Sequence, residues 1–385
     1  MSKDWMSWLA AAAVIAAAPA AESAEVKVAP YGVTKAGAPV KAYTLINDRG
    51  ASATVLDYGG TVTSILVPDR NGKLGNVVMS FNDLAAWETV GHANAITGRY
   101  ANIIINGFDL DGAHYPLHPA ANGVTMHGGV DQYSRRVWGV RPVRKADGAS
   151  VTMTLDSPDG DQGFPGRLKL AVKYSFTNDN ALRLDFTATT DKATVLNLTN
   201  HIYFNLNGNS TTSVYDQILQ VMTDQMASRT PGVKTEPVAG GPYDFTKPTR
   251  IGEHIVYSLG PQYDDPEKAP PMPPGMTRGF NAPYLLHDGD NRLDRVGARL
   301  SDPVSGRILE VRTTEISVHT FAAGPRRDNL LSDVGKPFVR GQSIAFETQH
   351  LPDSPNRPEF PTTVLRPGQT FHSTTIFAFK TDAKR

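Results

Sequence analysis

The fold class of this chain is decided by the run Ala53-Thr54-Val55-Leu56-Asp57-Tyr58, Gly59-Gly60, Thr61-Val62-Thr63-Ser64-Ile65-Leu66-Val67. β-Branched and other apolar residues recur with a period of two, and the paired glycines are typical of a turn between strands. Pro68-Asp69-Arg70-Asn71-Gly72 then supplies a second turn. The run therefore predicts consecutive strands joined as a hairpin.

Comparable strand patterns recur along the rest of the chain, at residues 150–155, 168–177, 181–190, 308–314, 343–346 and 370–380. Helical periodicity does not extend over a dozen residues anywhere. Many short strands between turn signals predict an all-β sandwich or barrel and argue against alternating β and α units.

Composition limits the kinds of partner. The 385 residues contain 34 Gly and 28 Pro, which is ordinary for a folded protein, and 38 Lys plus Arg balance 38 Asp plus Glu. This balance gives no attraction to nucleic acid or to an anionic membrane surface, so a neutral small molecule is the expected partner. The chain has no cysteine, which excludes disulfides and thiolate chemistry.

The N-terminus has the three parts of a signal peptide. Lys3 precedes an apolar run from Trp8 to Ala18, and Ala18-Pro19-Ala20 offers small residues for cleavage. A disordered Ala-rich tail and a membrane anchor are the alternatives, although the run is shorter than the ~20 residues that span a bilayer. We predict a signal peptide over 1–24, export to the periplasm or medium, and a single β domain over 25–385, because no linker divides the remainder.

Polar side chains inside apolar, strand-like sequence are the candidate site residues. His201 follows the run 194–200 and needs a hydrogen-bonding partner if it is half-buried, either in the core or in a site. Glu347 ends the run 343–346, where an exposed carboxylate is the default interpretation. His127 precedes Gly128-Gly129, a tight turn that allows a ligand to approach the backbone.

Several other chemistries lack their motifs. The sequence has no His-Glu-x-x-His pair, no glycine-rich nucleotide fingerprint and no Gly-x-Ser-x-Gly elbow. Residues 288–294 have acidic spacing faintly like a calcium loop but lack its terminal glutamate, so a solvated turn is the better interpretation. We therefore predict no metal site.

The ordered motifs of the chain resemble those of the aldose 1-epimerases, or galactose mutarotases, through most of the mature sequence. The matching segments are Gly98-Arg99-Tyr100-Ala101-Asn102, Met126-His127-Gly128-Gly129, Asp159-Gly160 with Gly163-Phe164-Pro165-Gly166, Asn200-His201 with Tyr203-Phe204-Asn205, Tyr243-Asp244-Phe245 and Glu347-Thr348-Gln349-His350. The resemblance implies a large antiparallel β-sandwich with an open sugar-binding cleft and no cofactor.

By position, the resemblance implies that His201 is the general acid for the ring oxygen of a sugar and that Glu347 is the general base for its anomeric hydroxyl. His127 corresponds to a second histidine that binds the sugar. Asn102, Asn281 and His319 are predicted to bind the substrate. Ile103 and Asn281 stand where the family usually has arginine and aspartate, and His319 corresponds to a glutamine, so an altered sugar pocket is expected.

The favoured hypothesis is an isomerase that exchanges the α and β anomers of an aldose. A carbohydrate-binding protein without turnover is the first alternative, and an enzyme acting on a different hemiacetal or glycoside is the second. Ordinary glycosidases use two carboxylates, and Asp244, the one candidate for the second carboxylate, lies in a sequence typical of a turn.

Overall fold

The computed structural model describes residues 24–118, 122–145, 148–208, 212–228, 230–255, 280–286, 292–322, 330–338 and 341–382. The predicted signal peptide lies outside these residues, apart from residue 24, and so does part of the acidic run 288–294. Export and the single-domain organisation stay predictions.

The described residues form 28 strands. The first fourteen, in chain order from β1 to β14, are Glu25–Val33, Pro39–Ile46, Ser52–Leu56, Val62–Pro68, Leu74–Asn76, Ile96–Thr97, Ile103–Ile105, Phe108–Leu110, Ala113–Tyr115, Val124–Met126, Gly139–Lys145, Gly148–Ser157, Leu168–Thr177 and Ala181–Thr190. Strands β15 to β28 are Thr194–Val195, Thr199–Asn200, Tyr203–Phe204, Ile218–Val221, Gln225–Ala227, Thr235–Pro237, Thr249–Arg250, Phe280–Leu285, Ala298–Ser301, Arg307–Thr313, Ser317–Ala322, Ile344–Gln349, Val364–Leu365 and Phe371–Thr381.

Helices are few and short. The described residues contain two α-helices, Leu84–Val90 (α1) and Ile251–His254 (α2), and 3₁₀ turns at Tyr133–Arg135, Asp161–Gly163 and Ser354–Asn356. None of the helices in the described part of the chain has the length and apolarity that crossing a membrane requires.

Three antiparallel sheets make the body of the fold. They have the strand orders β1-β2-β3-β4-β5, β11-β12-β13-β14-β28-β24-β23-β18-β21 and β17-β26-β25-β22-β19-β20, and pairs such as β7–β10 flank them. Phe204 of β17 lies 6.1 Å from Phe346 of β26 and 4.9 Å from Phe377 of β28 between ring centroids, so the six-stranded sheet packs on the nine-stranded one. The prediction of an all-β, antiparallel fold is confirmed.

Individual strand predictions differ in accuracy. The runs 168–177 and 181–190 coincide with β13 and β14, and 308–314 lies within one residue of β24. The strand-like run 194–200 instead splits into β15 and β16. The split arises because the side chain of Asn197 binds backbone groups of Ala101 and His350, which takes the chain out of a regular ladder there.

A buried arginine connects two of the family-like motifs. The guanidinium of Arg99, 1% exposed, donates to the carbonyl oxygens of Ser157, Pro158, Pro165 and Gly166. It also donates to the side chains of Tyr133, Ser157 and Thr194. Arg99 therefore supports the segment that leads to Asn102 and does not reach the cavity described below.

Replacing Arg99 by methionine is expected to lower the free energy of unfolding by about 3–5 kcal/mol, because several buried carbonyl groups lose their donor at once. Urea unfolding followed by circular dichroism measures the change. The control is Arg366→Met, since Arg366 pairs with Asp111 on the exposed surface, where a much smaller loss is expected. Equal losses in both variants would contradict this role of Arg99.

Candidate active site

A cavity of about 600 Å³ lies over the six-stranded sheet. Its walls include all six residues that the sequence predicted for the site, namely Asn102, His127, His201, Asn281, His319 and Glu347. They come from the strands β22, β25 and β26 and from three loops, one of which carries His201 between β16 and β17, so residues separated by up to 245 positions converge on one hollow.

Because side chains alternate between the two faces along β26, Glu347 points into this cavity. Phe346 packs into the core against Phe204, and the next side chain must therefore point to the opposite face of the sheet. Loops cover that face, so Glu347 is buried and not exposed as its default interpretation suggested. Burial raises the pKa of Glu347 from 4.5 to about 8, and its Oε2 has no hydrogen-bond partner among the described residues.

His201 is held between β16 and β17 by its backbone. Its N–H donates to the carbonyl of Ala95 and its carbonyl accepts from the N–H of Asn94. Burial, reinforced by the neighbouring His92 and His127, holds the pKa of His201 well below 6.5. Its Nδ1 finds no partner in the part of the chain that the structure describes.

His201 and Glu347 form a pair, with Nε2 of the imidazole 3.3 Å from Oε1 of the carboxyl group. Near pH 7 the depressed pKa of His201 and the raised pKa of Glu347 leave the pair with one titratable proton, which lies on Glu347. Two titratable groups whose pKa values are displaced by their surroundings are suited to acid and base work. The pair can move its proton between its members without changing its net charge.

His127 lies in the tight turn that the sequence predicted. Its φ is 51° and that of Gly128 is 90°, and a Cβ on Gly128 would stand 2.1 Å from the carbonyl oxygen of Gly98. The main-chain N–H of Asn102 donates to Nδ1 of His127 at 3.2 Å. Because Nδ1 accepts, the proton of the neutral imidazole is on Nε2. His127 therefore presents an N–H donor at its other nitrogen.

Asn102 also fixes His319. Its side-chain Nδ2 donates to Nδ1 of His319 at 3.2 Å, and Nε2 of His319 lies 2.5 Å from Oδ1 of Asn281, to which it donates. Asn102 thus sets the tautomers of two cavity histidines, one through its backbone and one through its amide. The oxygen of Asn281 is occupied by His319, which leaves its amide N–H groups for a ligand.

The structure adds His92 to the site, a residue that the sequence analysis missed. Its ring lies 4.8 Å from that of His127 and 5.0 Å from that of His201. Gly91-His92-Ala93 belongs to no periodic run or recognised motif, so the sequence carries no signal for it. Tyr203 stacks on His201 and Phe321 meets it edge-on, and both side chains line the cavity. The sequence analysis placed Tyr203 in the segment that follows His201 without predicting it as a site residue, and it did not single out Phe321.

The three imidazoles of His92, His127 and His201 offer nitrogens within 4.8 Å of one another, a spacing that invites comparison with a metal site. A metal-bound imidazole normally donates its second ring N–H to an acceptor. The N–H of Asn102 instead donates to Nδ1 of His127, so Nδ1 is occupied and Nε2 carries the proton. The cluster fits hydrogen bonding to a ligand better than coordination.

The buried carboxyl group should make stability depend on pH. Between about pH 4.5 and 8 the native state keeps a proton on Glu347 that the unfolded chain has lost, so the stabilisation present at low pH is lost as pH rises. Replacing Glu347 by glutamine removes this titration. We expect E347Q to gain about 2–4 kcal/mol relative to the parent between pH 5 and pH 8.

Urea unfolding at the two pH values checks this expectation. The control is Glu253→Gln, the same change of side chain at an exposed position of α2 outside the cavity. A gap between E347Q and the parent that stays constant from pH 5 to pH 8 would show that Glu347 is ionised in the native protein.

Comparison with known proteins agrees with this geometry. Residues 41–378 match the model of the aldose 1-epimerase family. The aldose 1-epimerase of Escherichia coli is 32% identical over 357 residues, covering 89% of this chain and 96% of that protein. Galactose mutarotase of Rattus norvegicus is 30% identical over 350 residues, covering 89% and 95%.

Among solved structures, galactose 1-epimerase from Lactobacillus acidophilus aligns with a TM-score of 0.76 and 26% identity, covering 93% of this chain and 99% of that one. The match of the family model covers far more than half of the chain. The chain therefore belongs to the aldose 1-epimerase family.

Proposed function

We propose that this protein interconverts the α and β anomers of an aldose by general acid–base catalysis at His201 and Glu347. The pair at 3.3 Å in a buried cavity is the observation that carries the proposal. It is supported by family membership and by Nδ1 of His201 and Oε2 of Glu347, which have no hydrogen-bond partner among the described residues and which a bound sugar can satisfy. His127 supplies an N–H donor beside them.

The chemistry needs one proton to leave the sugar and one to arrive. The reactive form has the shared proton on His201, reached by transfer from Glu347 across the 3.3 Å gap. Glu347 then takes the proton of the anomeric hydroxyl, the bond between C1 and the ring oxygen breaks, and His201 protonates that oxygen. C1 becomes a planar aldehyde, and reclosure on either face reverses both transfers.

Three pocket residues of this chain differ from those usual in the family. Ile103 and Asn281 replace the expected arginine and aspartate, and His319, the replacement for glutamine, occupies the oxygen of Asn281. Each lost charged group removes charge-assisted hydrogen bonds worth about 1.5–3 kcal/mol. We therefore infer a substrate preference that differs from plain galactose.

The test is the rate of anomer exchange, followed by polarimetry and by NMR, across neutral aldoses and uronic acids. We expect exchange above the uncatalysed rate with at least one neutral aldose. Saturable binding without faster exchange for every sugar would favour the carbohydrate-binding alternative instead.

The shared proton also predicts a pH profile. Above about pH 8 the pair loses its proton, and kcat/KM should then fall about tenfold per pH unit. Below pH 8 the rate should stay level through pH 6.5, since the depressed pKa of His201 delays a second protonation. NMR exchange rates corrected for the hydroxide-catalysed background give the profile. A level profile to pH 10 would contradict the assignment.

A further inference from the structure

The imidazole of His201 has to be held in one orientation if Nε2 is to exchange a proton with Glu347 and with a sugar. In proteins this is usually done by a hydrogen bond to the other ring nitrogen. In this protein Nε2 lies 3.3 Å from Oε1 of Glu347, whereas Nδ1 has no hydrogen-bond partner among the described residues. Side chains that pack on the ring are therefore the means of orienting it.

Three rings pack on this imidazole. The ring centroid of Tyr203 lies 4.8 Å from that of His201, the centroid of His92 lies 5.0 Å from it, and that of Phe321 lies 6.2 Å from it. The ring of His92 also lies 4.8 Å from that of His127. His92 thus contacts both the general acid and the second histidine of the cavity.

The loop that carries His92 is built to hold this ring in place. Helix α1 ends at Gly91, whose N–H donates to the carbonyl of Trp87. The carbonyl of His92 then accepts from the N–H of Ala95 at 3.2 Å, and the carbonyl of Ala95 accepts from the N–H of His201 at 2.9 Å. The turn that presents His92 is therefore hydrogen-bonded to the backbone of His201 itself.

Asn94, which is fully buried, connects the same turn to the core. Its Nδ2 donates to the carbonyls of Val62 and Met79 at 2.8 and 2.7 Å, and its Oδ1 accepts from the N–H of Tyr203 at 2.9 Å. These bonds hold the loop of His92 and the segment from His201 to Tyr203 against each other. A side chain on so fixed a support can orient its neighbour.

The charge of His92 matters as well as its ring. His92 is half-buried, whereas His201 is 3% exposed, so protons from solvent reach His92 more easily. A protonated His92 repels a proton on His201, and burial reinforced by His92 and His127 holds the pKa of His201 low. The other titratable or charged groups around these rings are His127, His319, Glu347 and Arg135, which packs on Gly91.

We propose that His92 is a positioning residue for the general acid: its ring, packed on the imidazole of His201, keeps Nε2 directed at Glu347 and at the ring oxygen of the sugar. The inference rests on the proposed anomerase activity and assigns His92 a role other than binding the sugar. Removing the ring should therefore lower kcat and leave KM nearly unchanged.

The experiment measures kcat and KM for anomer exchange by NMR at pH 7.5, with the aldose that the parent protein exchanges fastest. His92→Ala should lower kcat by about tenfold or more and change KM less than about threefold, because the imidazole of His201 loses a ring that orients it. His92→Phe keeps a ring at the same place, so its kcat should stay within about threefold of the parent. The matched control is His114→Ala, at an exposed histidine of β9 that pairs with Asp109, and its kcat should be unchanged.

A titration of the imidazole resonances by two-dimensional NMR gives a readout that does not depend on turnover. His92→Phe removes the neighbouring group that becomes cationic in acid, so the pKa of His201 should rise. In His114→Ala it should stay at the parental value.

A kcat of His92→Ala within about threefold of the parent would overturn the inference, and so would an equal loss of kcat in His92→Phe and His92→Ala. A KM raised about tenfold in both variants at an unchanged kcat would also overturn it, because His92 would then bind the sugar. An active parent whose His201 titration is the same in His92→Phe would overturn the inference and leave the proposed function intact. No exchange by the parent with any sugar of the panel would overturn the proposed function, and the inference with it.

Discussion

Glutamine in place of Glu347 is expected to lower kcat/KM for anomer exchange by about 10²- to 10⁴-fold, the range that a positioned acid or base contributes. Glutamine keeps the shape of the side chain but can neither take nor return a proton. Its neutral amide should also remain folded, since the native carboxyl group is itself uncharged below its raised pKa of about 8. The loss should therefore appear in the chemical step and not in the amount of folded protein.

A second substitution at position 347 tests whether the loss of rate comes from losing the ionisable group. Glu347→Asp keeps an ionisable group but withdraws it by one methylene from the 3.3 Å contact with His201, so an activity between those of E347Q and the parent is expected. NMR exchange rates at pH 7 give both values. A kcat/KM of E347Q within threefold of the parent would exclude Glu347 as the base.

Glutamine in place of His201 is expected to cost a similar factor of about 10²–10⁴, because the ring oxygen loses its proton donor. The imidazole is buried beside Glu347, and its Nδ1 has no hydrogen-bond partner within the described residues, so the polar contact that the change removes is the one between Nε2 and Glu347. The control is His372→Gln, at an exposed histidine of β28. An unchanged rate of anomer exchange in the His201 variant would show that His201 is not the proton donor.

The sequence predicted the strands best where neighbouring segments alternate and are joined by short turns. β13 and β14 are such a hairpin, joined through Asn178, Asp179 and Asn180. The burial of Glu347 could not be predicted in this way. Its strand pattern fixes which face it occupies, but the loops that cover that face come from residues more than 200 positions earlier, including His127 and Asn102.

The predicted site residues lie around one cavity, but no sequence motif predicts the hydrogen bonds between them. The hydrogen bond from the N–H of Asn102 to His127 depends on a positive φ of 64° at Asn102. Asparagine tolerates this backbone conformation, but an asparagine in the sequence does not by itself predict it. His92 enters the cavity through the position of its loop beside His201. Such features follow from tertiary packing, which a residue pattern with periods of two or 3.6 does not encode.

The central claim is that His201 and Glu347 share one proton and act as a unit, and the double variant His201→Gln with Glu347→Gln tests it most directly. If they act together, the double variant should be about as slow as the slower single variant, because either change alone already disables the transfer. The measurement is kcat/KM for anomer exchange by NMR in the parent, both single variants and the double variant. Losses that multiply, or a single variant that keeps the parental rate, would contradict the account.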